Sequence, residues 1–103
     1  MPKEQALVNS VLAEFRSRGC EAVKIHGGAF GIDGEPDIHA CIAGRFAAVE
    51  LKQSGKKPTK RQHYRLRRWR ESGALAEWFD NFEAFSLWLD SVLAAASGGS
   101  DRL

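Results

Sequence analysis

Two short apolar runs, Ile38 to Ala43 and Phe46 to Leu51, are joined through Ala43-Gly44. Alternating strand character broken by two turn residues predicts a β-hairpin with a two-residue loop. That loop length fixes the register. Ile42 faces Arg45, Ala40 faces Ala47, and Asp37 faces Glu50, thirteen residues further on. Directly opposed residues have Cβ atoms roughly 4.5–5.5 Å apart. The period of two then puts Lys52 on the face of Glu50 and sends Ile38, Ala40, Ile42, Ala47, Val49 and Leu51 to the other, apolar face.

Like charges set opposite each other destabilise a sheet, so a purely structural hairpin gains nothing from pairing Asp37 with Glu50. The pair asks for a cation, and hard carboxylate oxygens favour magnesium or manganese over zinc. Two acids with a lysine beside them make a site for a divalent metal and a phosphate. One other arrangement stays open at this point: Asp37 capping a turn after Pro36, and Glu50 paired with Lys52 on a solvated face.

The remaining elements follow from periodicity and punctuation. Leu7, Val8, Val11, Leu12 and Phe15 define an amphipathic helix from Glu4 to Arg18 that stops at Gly19. Cys20 to His26 alternates as a short strand, on which Lys24 either reaches a ligand or sits on the sheet surface. The segment from Gly27 to Gly34 is a glycine-rich loop that lets backbone approach a ligand closely. A strand rather than a helix follows it, and no Gly-Lys-Ser/Thr occurs, so it is neither a dinucleotide nor a P-loop signature. Asp33-x-Glu35-x-Asp37 is not a calcium loop either, because Ile38 stands where the turn glycine is required.

Thr59 is placed to cap a helix from Lys60 to about Ser72, ended by Gly73, with Gln62, Leu66 and Trp69 facing inward. Leu75 to Phe79 reads as a last strand. Asn81 then caps a helix from Phe82 to about Ala95, on which Trp88 and Leu93 widen the apolar stripe; an exposed remainder would suit a dimer contact, and core packing alone explains it equally well. Residues 97–103 have the composition of a disordered tail. The order α-β-β-β-α-β-α in 103 residues gives a single α/β domain, residues 1–96, with a central mixed sheet flanked by helices. No run reaches transmembrane length and the first residues are no signal peptide, so the sequence predicts a soluble intracellular protein with no membrane partner. Cys20 and Cys41 lack metal-ligand spacing and are expected to be reduced, partly buried small hydrophobes.

The net charge of +2 conceals an asymmetry: nine of the fifteen basic residues fall in the nineteen positions from Lys52 to Arg70, which hold no acid. Such concentration beside the acid pair favours a polyanionic partner, although a solvated basic helix face would have the same composition. Lys24, Lys56, Lys57, Lys60, Arg61, Arg65 and Arg68 are the candidate DNA-binding residues.

Gly34-x-Pro36-Asp37, then Glu50-x-Lys52, then Lys57-Pro58-Thr59-x-x-Gln62 resembles the VRR-NUC branch of the PD-(D/E)XK nucleases, over about Glu4 to Leu89. The resemblance implies a restriction-endonuclease-like core and a metal-dependent DNA endonuclease. In it Asp37, Glu50, Lys52 and Gln62 are catalytic, and Asp37, Glu50 and the backbone carbonyl of Leu51 hold Mg2+ or Mn2+. A glutamate of the first helix often joins such sites, for which Glu4 is the candidate; a favourable charge at a helix N-terminus explains it equally well. Gln62 either lines the active site or satisfies loop backbone groups. Small stand-alone members act as homodimers on branched DNA such as Holliday junctions, without an organic cofactor, in the cytoplasm of bacteria or phage-infected cells. The competing expectations are a catalytically silent DNA-binding module of the same fold, and a nuclease acting on plain duplex DNA or RNA.

Overall fold

A computed structural model describes residues 3–26 and 31–100. Seven elements follow in the expected order: α1 (Lys3–Ser17), β1 (Glu21–Lys24), β2 (Ile38–Ile42), β3 (Arg45–Leu51), α2 (Lys60–Glu71), β4 (Leu75–Phe79) and α3 (Phe82–Ser100). The four strands form one mixed sheet in the order β1-β2-β3-β4. The first two pairings are antiparallel, and β3 with β4 is parallel. A parallel neighbour cannot be reached by a tight turn, so the chain crosses over one face of the sheet through α2.

The β2–β3 turn has the predicted length. Ala43 and Gly44 both take positive φ, 51° and 84°, the pattern of a two-residue turn whose twist matches that of its strands. Ile42 pairs with Arg45 and Ala40 with Ala47, and the ladder continues to Ile38 with Val49. Asp37 therefore leaves β2 at the level of Glu50.

The two faces of the sheet bury different layers. Ala22, Ile38, Ala40, Ile42, Ala47, Val49, Leu51 and Phe79 pack with Val8, Val11 and Phe15 of α1 and with Phe85 and Leu89 of α3 in the main core. The Phe15 and Phe85 rings meet edge to face at a centroid distance of 5.0 Å, a favourable geometry for aromatic quadrupoles. On the opposite face Leu66 of α2 is buried against Ala48 and Ala76, flanked by Trp69 and Trp78. Small alanines at the sheet positions let the helix come close.

α2 packs on β3 and β4. Val23, Cys41 and Phe46, on the same sheet face beyond it, remain exposed. Cys41 is thus a surface thiol rather than a partly buried one, whereas Cys20 is buried as expected.

Both predicted caps form. Thr59 Oγ1 accepts from the Gln62 amide (3.1 Å) while Gln62 Oε1 accepts from the Thr59 amide (2.8 Å), a reciprocal capping box. Asn81 Oδ1 accepts from the Ala84 amide at 2.8 Å. At the other end of α3 the helix runs on through Ser97 to Ser100, where the sequence predicts a disordered tail. Ala94-Ala95-Ala96 has the highest helix propensity available and carries the hydrogen-bonded run past the Ser-Gly residues; residues 101–103 lie outside the described part of the chain. Trp88 packs against the core, with its ring 5.4 Å from Phe79 and 6.1 Å from Phe85. Leu93 also packs on the main core, and the large exposed apolar side chain left on α3 is Leu87. Among the described residues no helix is long and apolar enough to cross a membrane.

Candidate active site

Asp37 enters the sheet from a loop that is held from both sides. Its backbone oxygen accepts from the Ile25 amide at 2.7 Å, and its Oδ2 accepts from the Leu51 amide at 2.8 Å. The second oxygen, Oδ1, lies 3.4 Å from the ammonium of Lys24. Glu50, on the α2 face of β3, is only 2% exposed. Its Oε1 is buried with no hydrogen-bond partner.

Burial is the largest influence on Glu50, followed by its hydrogen bond to Asp37 and the negative charge there. Together they push its carboxyl up to about 9, and Lys52 offsets only part of the rise. At neutral pH, without a cation, Glu50 therefore holds a proton against Asp37. Like charges held this close cannot both ionise unless something positive joins them. An acid pair with one buried, unpartnered oxygen is a fit for a hard divalent cation. Among the described residues no group of three or more His, Cys, Asp and Glu side chains is placed to hold a metal. Two carboxylates plus backbone oxygen and water would have to suffice, as they commonly do for magnesium.

Lys52 turns from the acids to Gln62, with Nζ 3.3 Å from Oε1. That is the oxygen engaged in the α2 capping box, so Gln62 accepts from both the Thr59 amide and the Lys52 ammonium. A cavity of about 360 Å³ opens over the pair, lined by Lys24, Ile25, His26, Asp33, Glu35, Asp37, Glu50 and Gln62 among others. Lys52 is joined to it through Gln62. Glu4, half-buried in the first turn of α1, is not among the residues lining this cavity. Of the predicted glycine loop, Gly27 to Phe30 fall outside the described residues, and Gly31 to Gly34 do border the cavity.

Of the candidate DNA-binding residues, Lys56, Lys57, Lys60, Arg61 and Arg68 are exposed. Arg61 donates to the Asp33 carbonyl at 3.1 Å, and Arg68 lies 3.5 Å from Glu71. Lys24 lines the cavity. Arg65 differs: its side chain is 17% exposed and its Nε is 2.9 Å from Glu35. Its charge is already matched inside the protein, which a helix-wide count of basic residues does not reveal.

Glu35 is the residue that sequence reasoning missed. Its carboxylate accepts from Arg65 Nε (2.9 Å) and Trp69 Nε1 (2.8 Å) and contacts His39 Nε2 (2.8 Å). Burial alone would raise its pKa, but the hydrogen bonds from His39, Arg65 and Trp69 outweigh it and hold the carboxyl below its ordinary value. Glu35, Asp37 and His39 alternate along the chain, and Arg65 and Trp69 are one helical turn apart. Those two spacings are the only signal the sequence offered. His39 shares the acids' face, and its ring packs edge-on against Phe46 and Trp69.

The loop is fastened to α2 at a second point. A Cβ built on Gly34, whose φ is +82°, would lie 2.7 Å from Arg61 Cγ and 3.0 Å from Arg61 backbone atoms. Substituting Gly34 with Ala is therefore expected to lower the melting temperature by several degrees, since a left-handed backbone strain of about 1–2 kcal/mol is joined by a clash with helix backbone. A thermal melt within a degree of wild type would show that the loop does not need this approach.

A mixed four-stranded sheet with helices on both faces, in the order α-β-β-β-α-β-α, is a restriction-endonuclease-like fold. Among solved structures the chain is similar to a VRR_NUC domain, with a TM-score of 0.71 over 91% of this chain and 97% of that one, at 22% sequence identity. No protein-family model matches the sequence, and no curated protein does. The chain has the VRR_NUC fold.

Proposed function

We propose that this protein is a metal-dependent endonuclease that hydrolyses phosphodiester bonds in DNA, with Asp37, Glu50, Lys52 and Gln62 as its catalytic residues. The observation that carries the reading is the buried, unpartnered Oε1 of Glu50 beside Asp37, because a cation is what would relieve both the unmet oxygen and the shared proton. Asp37, Glu50 and the Leu51 carbonyl would hold Mg2+ or Mn2+. Such an ion supplies a water of lowered pKa and neutralises charge on the scissile phosphate. Gln62, anchored by the Thr59 amide, keeps the Lys52 ammonium in place. Lys52 offers positive charge where negative charge develops on the phosphate. The exposed Lys56, Lys57, Lys60, Arg61 and Arg68 would follow a phosphate backbone, which positions a substrate without reading its sequence. DNA of branched form, a Holliday junction in particular, and a homodimeric enzyme belong to this proposal and rest on the likeness to small stand-alone VRR-NUC proteins.

The purified protein is to be incubated with junction, flap, nicked and linear duplex DNA and with RNA, each with Mg2+, with Mn2+ and with EDTA. Cleavage is expected with either ion and none with EDTA, fastest on the junction. Lys52→Ala is expected to lower the rate by about 10²–10³-fold, the usual effect of removing one electrostatic stabiliser. Binding without cleavage of any substrate would identify the silent module instead. Sedimentation of the protein with and without junction DNA tests the dimer.

A further inference from the structure

The ammonium that touches the acid pair is not that of Lys52. Lys52 is turned to Gln62, whereas Lys24, at the end of β1, brings its Nζ 3.4 Å from Asp37 Oδ1 and 3.2 Å from the Ile25 carbonyl. Its side chain is 27% exposed and lines the cavity. The choice of oxygen matters. Oδ2 of Asp37 already accepts from the Leu51 amide, so Oδ1 is the less engaged of its two oxygens, beside the unpartnered Oε1 of Glu50. Lys24 sits on the first of these.

We propose that Lys24 is a resident counter-cation: its ammonium holds Asp37 Oδ1 in the metal-free protein, a divalent ion must displace it to bind, and Lys24 thereby sets the metal affinity of the site. The inference rests on the reading of Asp37 and Glu50 as a cation site. An ammonium and a doubly charged ion cannot share one carboxylate oxygen without strong repulsion. A flexible four-carbon stem and a partly exposed position let the lysine swing away at small cost. A residue serving only to brace Asp37 would have the opposite effect on metal affinity when removed, and this makes the two roles separable.

The test is direct titration of Mn2+ into the full-length metal-free protein without DNA, following free Mn2+ by its paramagnetic resonance signal. Lys24→Met is expected to bind about 3- to 10-fold more tightly than wild type, the effect of removing one nearby, partly screened positive charge. Lys24→Gln serves as a second variant should the first fold poorly. Arg45→Met removes an equal charge at the hairpin end of β3 and is expected to leave the affinity unchanged. Unchanged or weaker binding in both Lys24 variants overturns the inference, as does equal tightening in Arg45→Met. Failure of wild type to bind Mn2+ at all overturns the acid-pair reading itself, and the inference with it; binding by wild type without a gain in the Lys24 variants sinks the inference alone.

Discussion

Protein carrying Glu50→Gln is expected to melt higher than wild type at pH 8 when metal-free, and to cleave no DNA when Mg2+ or Mn2+ is supplied. The Glu50 carboxyl is pushed up to about 9 by burial and by Asp37, from an ordinary value of 4.5. Between those values the folded protein keeps a proton that the unfolded chain has released. Stability contributed by the protonated form is complete below the unfolded value and is lost as pH rises through the folded one. The slope within that window is at most about 1.4 kcal/mol per pH unit. Glutamine is neutral at every pH and keeps a donor for Asp37, so the variant escapes the loss. Melting curves in EDTA from pH 5 to pH 9 are expected to fall for wild type and to stay nearly level for Glu50→Gln. Added Mn2+ is expected to raise the wild-type melting temperature by mass action and to leave the variant unmoved. Parallel pH curves for the two proteins would remove the physical basis for a shared proton, and with it the case for a cation.

The features that placed this pair were local and therefore legible. A two-residue loop with positive φ at both positions determines which residues oppose each other. The register from Ile42–Arg45 to Ile38–Val49 follows as the sequence predicts. The Thr59 and Asn81 caps and the strand from Leu75 to Phe79 were legible for the same reason, because each depends on neighbours three or four residues away. What escaped depends on distant partners. No tight turn joins Lys24 to Asp37 to set their meeting, as Ala43-Gly44 does for Asp37 and Glu50, and Glu35 lies 30 and 34 residues from Arg65 and Trp69. A basic run tells how much charge a helix carries but not which arginine turns inward, so Arg65 was counted with its exposed neighbours. At the tail the reasons differ: composition favoured disorder from Ser97, while the helix runs to Ser100 beyond an alanine-rich turn.

Truncation of Glu35 to Ala is expected to cost more stability than the loss of any surface charge in this protein. The Glu35 side chain is 10% exposed and that of Arg65 is 17%. Removing the carboxylate leaves the guanidinium of Arg65 and the indole N–H of Trp69 without the acceptor they share. A stranded, mostly buried donor costs about 1–3 kcal/mol, more when it is charged, so a loss of about 2–4 kcal/mol and a fall of about 10–20 °C in melting temperature are expected at pH 7. Glu35→Gln keeps one oxygen for Trp69 and should lose less. Because the donors hold the Glu35 carboxyl below its ordinary value despite its burial, its contribution is present above that value and is lost as pH falls through the lower folded one. The gap between wild type and Glu35→Ala should therefore narrow in acid. Glu35 is two residues before Asp37 and is fixed to α2, the helix that also seats Gln62. Loosening it frees Asp37 from one wall of the cavity, so Mn2+ binding should weaken in Glu35→Ala even at temperatures where the variant is fully folded. A variant that melts like wild type and binds Mn2+ equally well would mean that the network is decoration on a loop the strands already hold, through the Ile25 and Leu51 amides alone.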